Sequence, residues 1–73
     1  MEIYRNSGGD SGVESFEIGV DSIRVKFKGT LKSYRWSNLQ AGRQHVEQMK
    51  ELARRGSGLN AYINRNVKFK YDK

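Results

Sequence analysis

The 73-residue chain predicts an α+β domain, with a three- or four-stranded, mainly antiparallel sheet packed by one long helix and one short helix. Two patterns predict it. Apolar residues alternate with polar ones through residues 16–36, the period of half-buried strands. They then recur at three- and four-residue spacing through residues 39–53, the period of a helix. Glycine-containing segments punctuate these runs where turns are needed.

Residues 1–12 read as a flexible N-terminal tail, because Asn6-Ser7-Gly8-Gly9-Asp10-Ser11-Gly12 combines flexible and turn-forming residues without an apolar anchor. One small folded domain is expected over residues 13–73, starting near Val13. In the first strand Phe16, Ile18 and Val20 alternate with Glu17 and Gly19. After a turn at Asp21-Ser22, Ile23, Val25 and Phe27 alternate with Arg24, Lys26 and Lys28. A second turn falls at Lys28-Gly29-Thr30. The third strand, Leu31 to Trp36, places Tyr34 and Trp36 on one face and Ser33 and Arg35 on the other.

Ser37 followed three residues later by Gln40 is a capping box, and it opens a helix expected over roughly residues 38–55. Leu39, Val46, Met49, Leu52 and Ala53 form its apolar stripe, and Gly56 ends it. Gly42 weakens this helix by up to about 1 kcal/mol relative to alanine, which suggests a close approach to the sheet. Leu59, Tyr62 and Ile63 fit one or two further helical turns. Val67, Phe69 and Tyr71 then alternate with Lys68 and Lys70 as a last short strand or extended arm.

The charge is unevenly distributed. Residues 1–21 hold five acids against Arg5 alone, whereas residues 22–73 hold thirteen of the fourteen Lys and Arg against three acids, a net +10. Such a segment attracts polyanions. If the apolar side of every strand lies under the helix, the opposite face displays Arg24, Lys26, Lys28, Arg35, Lys68 and Lys70, with Glu17 as its main acid. Phosphate oxygens are the natural ligands of such a surface. The alternative is a solvated face whose lysines deter edge pairing. Tyr34 and Trp36 either stack on unpaired bases at the rim of this site or pack beneath the helix.

The order Ser11-Gly12-Val13-Glu14-Ser15-Phe16-Glu17-Ile18-Gly19, then Tyr34-Arg35-Trp36, then Tyr62-Ile63-Asn64-Arg65-Asn66-Val67 resembles the KTSC domain. That family occurs at the C-terminus of some lysyl-tRNA synthetases and as a stand-alone bacterial protein. The resemblance spans about residues 11 to 71. Trp36 stands where the family's Tyr-x-Tyr motif has its second tyrosine, and the chain lacks the proline of the turn that follows. The resemblance implies the fold first, and an RNA ligand through the family's association with a synthetase.

Catalysis has little support in the residue types. The single histidine, His45, lies mid-helix with only Glu47 and Glu51 as acids of that segment, so no metal-ligand cluster is in view. Ser37 is better explained as an N-cap than as a nucleophile. The absence of cysteine excludes disulfides and thiolate metal sites. No apolar run reaches the roughly 7 residues of a signal-peptide core or the roughly 18 of a membrane span. The expectation is a cytoplasmic, non-enzymatic protein without cofactor, metal or membrane partner, which binds nucleic acid, RNA foremost, through Arg24, Lys26, Lys28, Tyr34, Arg35, Trp36, Lys68 and Lys70. Two alternatives stand beside it. One is a protein-interaction module, in which Arg43, Lys50, Arg54 and Arg55, with Tyr62 and Val67 near an edge, meet an acidic partner or form a homodimer. The remoter one is a metal-independent ribonuclease using His45.

Overall fold

A computed structural model describes residues 1–5 and 12–72. Four antiparallel strands lie in sequence order: β1 (Glu2–Ile3), β2 (Val13–Ile18), β3 (Ser22–Phe27) and β4 (Ser33–Ser37). Helices α1 (Asn38–Ala41), α2 (Arg43–Arg55) and α3 (Leu59–Tyr62) follow, and α3 runs on into a π-helical turn at Ile63–Val67. The expected α+β architecture is present. No helix among the described residues is long and apolar enough to cross a membrane.

Register explains which side chains enter the core. Phe16 faces Val25 and Val25 faces Tyr34, while Ile18 faces Ile23 and Ile23 faces Trp36, so one face of the sheet is apolar across three strands. Strict alternation from Phe16 would turn Val13 outward. A bulge between Val13 and Ser15 shifts the pairing so that Val13 opposes Phe27 and is fully buried. Val46, Met49, Leu52 and Ala53 of α2 cover this face with Leu59, Ile63 and Val67.

Four expectations are corrected. The fold does not begin near Val13: β1 pairs with β2, and Tyr4 is buried against Phe16 at an edge-on ring distance of 6.4 Å. Its hydroxyl accepts a hydrogen bond from the backbone N–H of Leu59 (3.2 Å), serving the start of α3 as a cap would. The remainder of the expected flexible tail, residues 6–11, lies outside the described residues.

The long helix is two helices. Ser37 Oγ accepts from the N–H of Gln40 as expected, but Gly42 adopts φ 96°, ψ 138° and breaks the helix after four residues. Nothing approaches the position a Cβ would take at Gly42, so its role is a conformation closed to other residues and not close packing. Leu39 consequently leaves the apolar stripe and is 90% exposed. At the far end of α2, Gly56 meets both demands at once: φ is 81°, and a Cβ there would stand 2.6 Å from Arg5 Cβ.

The first hairpin turns one residue earlier than expected. Gly19 N–H donates to the Ser22 carbonyl, which puts Val20 at the exposed tip instead of on the apolar face.

The last strand does not form. Ile63 and Val67, four residues apart and both buried, carry the chain helically past the point where alternation begins. The Asn66 side-chain amide donates to the Tyr62 carbonyl (3.2 Å), and the indole Nε1 of Trp36 donates to the Val67 carbonyl (2.7 Å), so both ends of the turn are held. Lys70 N–H then bonds back to the Val67 carbonyl, and the chain turns toward β4.

Candidate nucleic-acid interface

The outer face of the sheet is less cationic than the sequence suggests. Arg24 and Arg35 are direct cross-strand neighbours there, and Lys26 lies two residues on from Arg24. Lys26 is paired with Glu14 at 2.7 Å, because the bulge turns that acid outward. Arg35 is paired with Asp72 and lies 3.6 Å from Asp21. Glu17 opposes Arg24 in register. Among the described residues four acids rather than one therefore share the face. Each half-exposed pair contributes at most about 1 kcal/mol to stability, yet both hold cations that a phosphate would have to win from a carboxylate.

Lys68 and Lys70 are not on this face. They belong to the segment that leaves the π-helical turn, while Lys28 is exposed in the turn after β3. Among the described residues Arg24, Lys28 and Lys70 form no ion pair, and Lys68 Nζ sits 5.4 Å from the centre of the Phe69 ring. The expected six-cation sheet face thus becomes two regions around β4, a partly neutralised outer face and a cationic C-terminal segment.

The C-terminal segment connects the two regions by wrapping the open edge of the sheet. Tyr71 packs on the inner side against Tyr34 (4.8 Å between ring centres) and Trp36 (6.2 Å). The next residue, Asp72, reaches the other side: its N–H donates to the Arg35 carbonyl (2.7 Å), and its carboxylate accepts from the Arg35 guanidinium and from Ser37 Oγ. Ser37, expected only as a helix cap, is also a clamp for the C-terminus.

Between the wrapped segment and the sheet lies an open cleft of about 250 Å³, lined by Phe27, Tyr34, Trp36, Tyr71, Asn64 and Phe69, with Ile63 and Lys68 completing it. Trp36 is 1% exposed and its indole N–H is engaged, so it forms the floor and cannot act as a stacking platform. Tyr34 is half-buried and forms a wall. The exposed ring is that of Phe69, 77% accessible. Sequence reasoning did not include Phe69, Tyr71 or Asn64 in the site. The signal for the first two was present in Lys68-Phe69-Lys70-Tyr71, where cations interleave with aromatics, but the same alternation also reads as a strand.

The residues named for other functions are distributed differently. Lys50 is buried, its Nζ donating to the Val20 carbonyl and to Glu47 (3.1 Å each), and Val67 is buried too, so neither belongs to a docking surface. His45 Nδ1 and Tyr62 Oη are 2.7 Å apart, and neither lines the cleft. Among the described residues no three His, Cys, Asp or Glu side chains converge.

No protein-family model matches this chain, and no curated protein or solved structure matches it either.

Proposed function

We propose that this chain is a non-catalytic nucleic-acid-binding domain, with RNA as its foremost ligand, as the KTSC-like motif order also implies. The observation that carries the reading is Phe69, a large apolar ring left 77% exposed between Lys68 and Lys70 at the mouth of an aromatic cleft. Leaving such a ring in water gives up roughly 2 kcal/mol of burial, so its position favours a ligand that covers it. A π-face flanked by cations is complementary to a base and its phosphates. The net charge of +6 adds long-range attraction to any polyanion.

The test is fluorescence anisotropy of labelled single-stranded RNA, duplex RNA and DNA at two salt concentrations. The reading expects binding that weakens as salt rises, with log K falling by about 0.7 per unit of log salt for each single-strand phosphate contacted. Absence of binding at low salt overturns it. The observation that favours a protein partner instead is the exposed pair Val20 (97%) and Leu39 (90%). The two sit on segments joined by the Asn38 N–H to Asp21 carbonyl bond (2.8 Å). That reading expects binding to protein that RNA does not displace.

A further inference from the structure

We infer that the cleft beside β4 receives one unpaired base of a nucleic-acid strand, with Phe69 as its stacking surface, the Asn64 amide at its hydrogen-bonding edge and Lys68 on its phosphate. The inference rests on the nucleic-acid reading and narrows it, from a basic surface that grips any backbone to a site that needs a base out of its helix.

The walls supply the first argument. Phe27, Tyr34 and Tyr71 are ring-lined sides over a Trp36 floor, and the opening of about 250 Å³ admits a single planar heterocycle, not a duplex groove. A flat sheet face would accept a duplex; this recess lies on the inner side of β4, behind the wrapping segment that ends at Asp72.

The polar groups supply the second. The Asn64 side chain is exposed at the lining, and its amide makes no hydrogen bond among the described residues. It presents a donor and an acceptor side by side, the pattern an unpaired base offers along its own edge. The hydroxyls of Tyr34 and Tyr71 are also without hydrogen-bond partners among the described residues. A purely apolar ligand would leave these three groups unanswered, whereas a base has donors and acceptors for them.

Charge supplies the third. Lys68 lies over one side of the Phe69 ring, and the exposure of that ring leaves its other side open. A base stacked there has its phosphate near a cation, and along the chain the cations continue, Lys70 following the lining residue Phe69 and Lys28 following the lining residue Phe27, both exposed to neighbouring phosphates. This continuation is the reason for a base within a strand instead of a free mononucleotide.

The experiment compares wild type, Phe69→Ala, Phe69→Trp and Asn64→Ala against a short single-stranded RNA, the same RNA with abasic sites, a duplex RNA and a free nucleoside monophosphate. Phe69 and Asn64 are both exposed, so unchanged melting curves are expected and serve as the control for folding. Loss of one stacked base weakens binding by about 5- to 150-fold. Phe69→Ala should lose that factor on the single strand and little on the duplex, Phe69→Trp should restore it, and the abasic strand should bind wild type as weakly as the intact strand binds Phe69→Ala. Equal losses on single strand and duplex, or no loss, with salt-dependent RNA binding intact, would overturn the cleft and leave the nucleic-acid reading standing. Tighter binding of the monophosphate than of the strand would also overturn it. No RNA binding in any form would remove both.

Discussion

The indole Nε1 of Trp36 donates a 2.7 Å hydrogen bond to the backbone carbonyl of Val67, thirty-one residues later in the chain. This one contact ties the edge strand β4 to the end of the π-helical turn, and it fixes the floor of the aromatic cleft on which Tyr71 closes. Replacing Trp36 by Phe keeps an aromatic ring but removes one of the two donors to the Val67 carbonyl, leaving the Lys70 N–H as the other. The expected loss is about 0.5–1.5 kcal/mol for the hydrogen bond, with additional loss from the smaller ring, read as a lower midpoint in urea unfolding. An unchanged midpoint would mean that the π-helical turn is not held from β4.

Gly42 is where the helical stripe breaks, at a positive φ with open space around it. Gly42→Ala should therefore destabilise the domain by about 1–3 kcal/mol through backbone strain, despite alanine's higher helix propensity. Thermal unfolding followed by circular dichroism checks the sign. A higher melting temperature together with more helical signal would show α1 and α2 joined as the one continuous helix that the sequence pattern predicts.

Tyr4 makes the first residues part of the fold. Tyr4→Phe removes the acceptor of the Leu59 N–H and should cost roughly 1 kcal/mol, while Tyr4→Ala also empties a buried ring site and should cost roughly 3–5 kcal/mol. Equilibrium unfolding of the two variants separates the contributions. Wild-type stability in Tyr4→Ala would contradict the packing of β1 onto the sheet.

What the sequence revealed and what it concealed follow from the range of the interactions involved. The alternation of Ile23, Val25 and Phe27, and the spacing of Val46, Met49 and Leu52, are local, and these elements form where the pattern puts them. Tyr4 stands outside any periodic run, and only its pairing with β2 across residues 6–11 makes it core. The bulge at Val13/Ser15 is set by the partner strand, so neither buried Val13 nor the outward Glu14 that neutralises Lys26 is legible beforehand. In Val67 to Tyr71 the two periods compete. The four-residue spacing of Ile63 and Val67 prevails because both side chains are buried, and it brings Lys68, expected on the outer sheet face, and Phe69, expected in the apolar set of a strand, together at the cleft. Tyr34, Trp36 and the cations were legible as chemistry, but their grouping was not.

Asp72 competes with any phosphate for Arg35. Its carboxylate accepts from the guanidinium and from Ser37 Oγ, so Asp72→Asn should loosen the Arg35 cation at the sheet edge, leaving Asp21 at 3.6 Å as its remaining acid. The expected outcome is tighter RNA binding with a steeper salt dependence, by about 0.7 in slope for one added single-strand phosphate contact, at a stability cost near 1 kcal/mol. Anisotropy titrations at three salt concentrations measure the slope. An unchanged slope would place Arg35 outside the interface.

The most direct test of the central claim is an amide chemical-shift titration of the isotope-labelled chain with a short single-stranded RNA at low salt. Nucleic-acid binding at the cleft predicts shifts concentrated at Phe27, Lys28, Tyr34, Asn64 and residues 68–71. An unchanged spectrum, or shifts confined to the outer side of α2 around Arg43, Glu47 and Arg54, would contradict it.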